Sequence, residues 1–561
     1  MNKPSFFIGI DTGGTYTDAV LLDAPTLCIV HAAKVPTAAH DPARSIQRVL
    51  RQVLKESGVD PQHIAHVHVS TTLATNALVE EKGADVGLFV IGFDKRLDVP
   101  AREVRYIPGG HKARGIEVEP LGMEFVVQGI AAMQSQVDAY AVCALLGFED
   151  PTHELVVAKA IELMDPKPVF CSHQASSRPG MHERAATAVL NARLLPIMRD
   201  FLHSIAQSMQ DLGLDCPVRI VRGDAQVMDV SQAMDAASST VASGPAATAI
   251  FGSRNAQESA SLVVDVGGTT TDITLIRHGQ PVIGDAGMVI GKWRTHVRAV
   301  EMYTAGIGGD SLVRLDAQQR LCLGPARVLP LCLAHEHLTG QALEMMRAPH
   351  TWIGPELRCQ CVALAQADSP ASCELESQVL NWLRVHGPAT AEQLRTALSL
   401  AESQVEQHLS RLLAARHIIA CGFTPTDALH VLGELSLGDA RPARAAAAVF
   451  AADLGLDIPA LCHQVLRQAE RVIAETILSA LIQREHAPAL IRSILDPAPE
   501  SLLDVSVQVR APVIGIGAAA PFFLPAVAER LGTHVVFPPH YAVGNAVGAA
   551  MMPVPDGELL V

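Results

Sequence analysis

The chain has no uninterrupted apolar stretch of the roughly 20 residues needed to cross a bilayer, so a membrane-spanning protein is not expected. It also has no long run of Lys or Arg, and its formal net charge is −15. A polyanion such as DNA is therefore a poor partner for the chain as a whole. The opening residues, MNKPSFFIGIDTGG, lack the apolar core and small-residue cleavage site of a secretory signal, and a cytoplasmic location is expected. Cysteines are scattered, eleven in 561 residues, rather than paired at framework spacings. Reduced thiols packed as small apolar groups are expected instead of disulfides. Charged residues make up only 18 % against 49 % hydrophobic, which implies large cores and little disorder. The length fits about three or four domains.

What the chain does have is an octapeptide used twice. Asp-Thr-Gly-Gly-Thr-Tyr-Thr-Asp at 11–18 returns as Asp-Val-Gly-Gly-Thr-Thr-Thr-Asp at 265–272, each copy preceded and followed by apolar β-formers. Strand, tight turn, strand is the pattern of a β-hairpin. Paired glycines, Gly13 and Gly14 and again Gly267 and Gly268, permit φ > 0 and leave no Cβ in the way, so backbone N–H groups can converge on an anion. Thr12, Thr15 and Thr17, and Thr269, Thr270 and Thr271, add hydroxyl donors, an environment that suits a phosphate. Asp11 and Asp265 close the leading strands, where a carboxylate can hold Mg²⁺ through its waters or orient an attacking water. Two such hairpins facing one another would grip a nucleoside triphosphate. Asp-x-Gly-Gly-Thr is also an ordinary turn composition, but two copies that agree at six of eight positions argue for a duplicated phosphate-binding fold.

Strands alternate with helices through both halves, which reads as α/β. Apolar positions at helical spacing predict a surface helix over 42–58, and 183–213 reads as a long amphipathic helix, bent or restarted near Pro196, that bridges the halves. Gly306, Gly308 and Gly309 lead into Asp310 and Ser311 as a further nucleotide-side loop. Gly515 and Gly517 follow a late strand, and the chain closes on a small-residue helix. Residues 374–423 break the pattern as three short helices and a strand, the outline of a winged helix, with Thr390 and Ser399 as helix caps or near-caps. Its third helix would offer Gln404, Gln407, His408, Arg411 and Arg416 to a groove, but that helix is nearly balanced in charge, so a packing or protein-interaction role is favoured over DNA. Cys359 and Cys361 with Cys373 and Cys421, and His335 with His337, are weak zinc patterns.

Seven stretches carry a resemblance: GIDTGGTYTDAV, HVSTTLATNALVEEKGADVG, ERAATAVLNARLLP, VASGPAATA, VVDVGGTTTDITLI, AGIGGDS and TPTDALHVLG. The chain resembles the A-type subunits of the hydantoinase/oxoprolinase family, which includes ATP-dependent N-methylhydantoinases, 5-oxoprolinases and acetone carboxylase β-subunits. That family lies within the actin-like superfamily of sugar kinases and heat-shock chaperones. The resemblance implies two ribonuclease-H-like lobes around a nucleotide cleft. The first would span 1–190 and the second 191–373 and 424–561, with the winged-helix-like insert at 374–423 between the two pieces. It implies ATP and Mg²⁺ as cofactors, with Asp11, Thr12, Gly13, Gly14 and Thr15 in the first phosphate motif and Asp265, Gly267, Gly268, Thr269 and Thr270 in the second. Gly308 and Gly309 fall in the nucleotide-side loop, and Gly515 and Gly517 match the adenosine loop. Asp11 and Asp265 would serve the metal. Thr71, Thr72, Asn76 and Lys82 fall in the family's own motif and would position substrate or the γ-phosphate, helix capping being the alternative for Thr71 and Thr72.

The implied chemistry is phosphorylation of a cyclic amide or carbonyl oxygen, which removes amide resonance and opens the carbon to water or another nucleophile. A small-molecule substrate, a separate B-type partner subunit and an oligomeric state follow as expectations. Two departures leave the substrate open: LCLGPARVLPLCLA stands where larger members carry Pro-Gly-Pro-Ala-Cys-Tyr-Gly, and Arg222-Gly223-Asp224-Ala225 stands for Ser-Asn-Gly-Gly. Rival readings are a nucleotide-dependent switch or reactivase, and a small-molecule kinase with Asp224 as base.

Overall fold

The computed structural model describes residues 5–553 apart from 15, 38–41, 80–81, 285, 335–359, 366–370, 416, 483–486 and 497–504. The chain divides into two compact units, one of Met1–Val263, Thr274–Met302 and Pro538–Val561, the other of Val264–Ile273 and Tyr303–Phe537.

In the first unit, β1 (Phe6–Thr12), β2 (Tyr16–Asp23) and β3 (Ile29–Pro36) form an antiparallel meander. Helix α1 (Pro42–Ser57) then carries the chain across to β4 (Ile64–Thr71), which pairs parallel with β1. Strand Val218–Val221 adds to β4, and Val227–Asp229 closes the edge. Because side chains alternate along a strand, Ile8, Ile10, Ala19 and Leu21 share one face, and they pack in one buried cluster with Ile46, Val49, Leu50 and Val53 of α1. The helix expected over 42–58 is therefore the cover of this sheet.

The opposite face is closed at backbone distance. A Cβ on Gly9 would lie 2.0 Å from the Ala546 carbonyl oxygen, so helix Gly544–Ala550 rests directly on β1. Gly548 does the same against helix Ser243–Asn255, where a Cβ would lie 1.9 Å from the Ala247 oxygen. On this face of β4, His66 stacks on Phe7 at 4.1 Å and on His68 at 4.1 Å. His68 Nδ1 donates to the Ala549 carbonyl (3.0 Å). Burial pushes His66 down to about 4 and His68 to about 3, so both are neutral.

A second sheet of the same unit is parallel throughout, with Val169–Cys171, Ala139–Ala144, Val86–Ile91 and Glu103–Ile107 side by side. Every residue of Val86–Ile91 and Ala139–Ala144 is buried, the near-continuous apolar run of a strand covered on both faces. Helix Met181–Asp211 runs unbroken through Pro196 and lies wholly in the first unit. The expected restart and bridge are not observed, and the boundary expected at residue 190 falls inside this helix. The "ERAATAVLNA" motif has a local explanation. Arg184 is fully buried and donates to Ser172 Oγ (2.8 Å) and the Ala144 carbonyl (2.7 Å), while Glu154, equally buried, accepts from Ser172 Oγ (2.6 Å) and the Ala144 N–H (2.8 Å). Two opposite charges thus bind the ends of parallel strands together in a dry environment.

In the second unit, Val513–Ile516 pairs parallel with Val535–Val536, and Ser311–Leu315 pairs antiparallel with Leu321–Arg327. The insert is as outlined: helices Glu374–His386, Ala391–Leu398 and Glu402–Ala414, then strand Ile418–Gly422 paired antiparallel with Gln360–Leu364. Thr390 caps the second helix in a reciprocal box with Gln393. Ser399 instead ends that helix in a left-handed conformation (φ 53°). Among the described residues no single helix is long and apolar enough to cross a membrane.

Candidate functional site

Both octapeptides form the same turn. The third-position N–H donates to the sixth-position carbonyl at 3.0 Å in each, Gly13 to Tyr16 and Gly267 to Thr270. None of Gly13, Gly14, Gly267 and Gly268 is among the described residues with positive φ. The glycines therefore serve by lacking a side chain, not by the left-handed freedom expected of them.

In the first unit, β1–β2 register sets Asp11 opposite Asp18 and Thr12 opposite Thr17. Parallel pairing sets Asp11 beside Ser70, whose hydroxyl donates to Asp11 Oδ1 at 2.6 Å. Asn545 Nδ2 lies 3.4 Å from the other oxygen. Asp11 is buried, as is Thr12, whose hydroxyl has no partner among the described residues. A buried orphan hydroxyl one residue from the glycines is a place for an external acceptor such as a phosphate oxygen or a metal-bound water.

Helix α2 (Leu73–Val79) starts directly behind this turn. Thr71 Oγ1 accepts from the Leu73 N–H (3.1 Å), and the Thr71 backbone is clasped by Ser243 Oγ on both sides (3.1 and 2.8 Å). The hydroxyl oxygen thus takes the capping role that was the alternative for Thr71, with its O–H still able to donate. Thr72 is different. Its N–H and hydroxyl reach the Thr12 carbonyl (3.0 and 3.3 Å), and Asn76 Nδ2 donates to Thr72 Oγ1 (3.1 Å). Asn76 Nδ2 is also what a Cβ on Gly14 would meet, at 3.8 Å. Thr72 and Asn76 therefore flank the first turn, Lys82 is exposed beyond α2, and Thr15 lies outside the described residues.

In the second unit the turn is bolted to the loop at 306–310. Gly309 N–H donates to the Gly267 carbonyl (3.0 Å) and Asp310 N–H to that of Gly268 (2.7 Å). A Cβ on Gly308 would lie 2.5 Å from the Gly267 oxygen, and one on Gly268 2.4 Å from Asp310 Oδ2. Gly309 is equally tight against Thr426 Oγ1 (2.8 Å), which donates to its carbonyl. Gly517 (φ 91°) completes the set, for a Cβ there would meet the Val266 oxygen at 2.4 Å and Asp265 Oδ1 at 2.8 Å. Gly515 belongs elsewhere. It sits inside strand Val513–Ile516, where its missing side chain makes room for the Phe537 ring at 2.4 Å, so it is a packing glycine and not part of a ligand loop.

Three carboxylates gather around this second turn, two of them not anticipated as site residues. Asp272 accepts from Thr304 Oγ1 (2.6 Å) and lies 3.4 Å from Thr270 Oγ1. Desolvation, with the charge of Asp265 adding to it, pushes Asp272 up to about 6 despite these hydrogen bonds. Burial likewise raises Asp310, against the pull of Arg327 at 3.3 Å. An acid that titrates near neutrality beside a second carboxylate is suited to holding a divalent cation or exchanging a proton. Asp272 closes the octapeptide and Asp310 follows the glycine loop, so both were visible in the motifs, but nothing in the sequence marked their burial. The hard oxygen donors of the second turn fit Mg²⁺, and in the first unit the Thr12 hydroxyl fits a phosphate oxygen.

Other expected residues are engaged otherwise. Asp224 is held bidentately by Arg222 (3.0 and 2.8 Å), which neutralises it as a base. Cys361 and Cys421 face one another across the insert's ladder as buried thiols, and the contact with Cys421 makes ionisation of Cys361 harder, while Cys373 lies against His408 instead. Among the described residues, Cys361, Cys373 and Cys421 do not come together as a metal-ligand group. Gln404, Gln407 and Arg411 are exposed, but His408 is buried. Cys359, His335, His337 and Arg416 lie outside the described residues.

The hydantoinase/oxoprolinase N-terminal region matches residues 7–164, and the hydantoinase/oxoprolinase family matches residues 184–335, together more than half of the chain. Caprolactamase subunit alpha of Pseudomonas jessenii is 28 % identical over 357 residues, a match that covers 58 % of this chain and 51 % of that one. The chain spans about half the length of the curated relatives it matches. A nucleotide-free structure of acetone carboxylase, solved for the mechanism of ATP-dependent acetone carboxylation, superposes with a TM-score of 0.67 at 17 % identity, over 97 % of this chain and 70 % of that one. The ATP-dependent caprolactamase of Pseudomonas jessenii gives 0.63 at 20 % identity, over 98 % and 71 %. The expected α/β class is thereby borne out, and the fold is that of the acetone carboxylase and caprolactamase structures.

Proposed function

Because the chain belongs to the hydantoinase/oxoprolinase family, we propose that it uses ATP and Mg²⁺ to phosphorylate an amide or carbonyl oxygen of a small molecule, preparing the adjacent carbon for hydrolysis or attack. The observation that carries this reading is the second turn. A Gly-Gly-Thr-Thr hairpin locked to a glycine loop, with Asp265, Asp272 and Asp310 around it, is a rigid receptor for a phosphate chain and its cation.

In this reading Mg²⁺, when bound, would neutralise charge on the phosphates; Asp265 would hold it in the second unit, and Asp11 is the corresponding carboxylate of the first. Thr12 Oγ1 in the first unit, and Thr269 and Thr270 in the second, are the hydroxyls that would donate to phosphate oxygens. Asp272, whose carboxyl burial raises to about 6, would lose its own proton to solvent as a cation binds beside it. Thr72 and Asn76 position the first turn, and Thr71 fixes the start of α2 behind them. Transfer of the γ-phosphoryl group to the carbonyl oxygen replaces a poor electrophile by a good one, and the protein's share is positioning and charge neutralisation.

A cyclic amide is the proposed substrate, with a ketone as the second class, because a caprolactamase and an acetone carboxylase are both among the similar proteins. A second subunit is part of the proposal, since the caprolactamase relative is itself an alpha subunit. The test is Mg²⁺-dependent ATPase activity measured with a panel of lactams, hydantoins and ketones. Stimulation by a member of the panel, lost in Asp265→Ala, supports the reading. ATPase activity unchanged in that variant removes the metal assignment, and stimulation only by a protein would favour a nucleotide switch.

A further inference from the structure

The insert brings a thiol, a carboxylate and an imidazole together from three points of its fold. Cys373 precedes the first helix, Glu376 lies one turn into it, and His408 projects inward from the third helix beside Val405, Leu409 and Leu412. We propose that Cys373 Sγ, Glu376 Oε1 and His408 Nδ1 form a zinc site that ties the first helix of the insert to its third, with water as the fourth ligand.

The separations favour a metal over hydrogen bonding. His408 Nδ1 is 3.8 Å from Cys373 Sγ and 3.6 Å from Glu376 Oε1, and the three ligand atoms all lie within 4.8 Å of one another. An imidazole hydrogen-bonded to a carboxylate would close to about 2.8 Å. The edges of a tetrahedral zinc site are about 3.6 Å for S···N and about 3.4 Å for N···O, given zinc–ligand bonds of about 2.0–2.3 Å. One imidazole nitrogen facing both a thiol and a carboxylate at such edges leaves room for an ion of that size among them.

The surroundings prepare each ligand. Glu376 receives the Ser372 N–H on its other oxygen (2.9 Å), which leaves Oε1 turned to the imidazole, as outer-shell partners of metal ligands do. Cys373 occupies the cap position of helix Glu374–His386 without making a side-chain capping bond, so its sulfur is not spent on the helix and turns to His408. Sulfur and nitrogen donors select zinc-class ions over the Mg²⁺ expected at the glycine turns. Cys373 is exposed, which gives an ion and the fourth water access.

The test is a Co²⁺ titration of the full chain after chelator treatment and dialysis. One equivalent is expected to give a tetrahedral visible spectrum with a thiolate-to-cobalt charge-transfer band, displaced by Zn²⁺. Cys373→Ser should abolish that band, and His408→Ala and Glu376→Gln should each weaken binding by roughly tenfold or more. Zn²⁺ should slow hydrogen exchange in helices Glu374–His386 and Glu402–Ala414 of the unmodified protein. Absence of a tetrahedral spectrum, a charge-transfer band that survives in Cys373→Ser, or unchanged exchange in those two helices overturns the site. The cobalt spectrum and the exchange experiment use the unmodified chain, so they decide the matter even if a variant fails to fold.

Discussion

A Cβ added to Gly14 in the first turn would have only Asn76 Nδ2 nearby, at 3.8 Å, whereas one added to Gly268 in the second would drive into the Asp310 carboxylate at 2.4 Å. Two turns with the same closing hydrogen bond and six shared residues thus differ in tolerance. The closing aspartates differ as well. Asp18 pairs with Lys34 at 3.1 Å, near the surface, while Asp272 is held by Thr304 and raised toward neutrality by burial. Position two carries a buried threonine in the first copy and Val266 in the second. Repetition of a motif therefore preserves backbone geometry, while the electrostatic task at each copy is set by what packs against it.

The largest separation between the copies is expected at the closing carboxylates. Asp272→Asn should lower Mg²⁺-dependent ATPase activity by about a hundredfold, the scale of losing one preorganised charged group, and Asp18→Asn by less than about threefold. Equal losses would erase the functional distinction between the turns. Next come the glycines. Gly268→Ala should destabilise the protein by about 1–3 kcal/mol through overpacking, against less than about 0.5 kcal/mol for Gly14→Ala, as read by chemical denaturation.

A third comparison uses pH. His66 and His68 have folded-state values below those of the unfolded chain, so their contribution is intact above about 6.5 and is lost as pH falls toward about 4. Asp272 is raised, so its contribution is present below about 4 and is lost as pH rises through about 6. Melting temperature against pH should accordingly flatten on the acid side in His68→Gln, and Asp272→Asn should gain relative to the parent above pH 6. Parallel shifts in both variants would contradict the assignment. The smallest effect is expected from Thr12→Val, which makes position two of the first turn resemble the second. Stability should hold or rise slightly because a buried unpaired hydroxyl is removed, while KM for ATP rises roughly threefold to tenfold. An unchanged KM would mean the hydroxyl meets no ligand.

Much of the scaffold could be read from local pattern. Alternation set the faces of β1 and β2, helical spacing gave α1, and the capping signal at Thr390 located a helix of the insert. What escaped depended on contacts between residues far apart in sequence, which leave no periodic trace. Gly515 reads as part of a Gly-x-Gly loop until Phe537 is seen against it. Asp224 reads as a free base until Arg222 closes on it, and His408 as a surface residue until its helix turns it toward Cys373. In the site itself the two hairpin turns were legible, because glycine and threonine spacing is chemistry written locally. The raised pKa of Asp272 was not, because desolvation is a property of the neighbours.

Helix Gly544–Ala550 has a consequence for how the protein is made. It seats on Gly9 at van der Waals limits, and its Asn545 approaches Asp11. More than five hundred residues must therefore leave the ribosome before the opening strand acquires one of its two walls. Until then that strand is a half-covered apolar surface in need of shelter, and truncations that remove this helix should fail through aggregation of the nascent amino-terminal half, well before any question of nucleotide affinity arises.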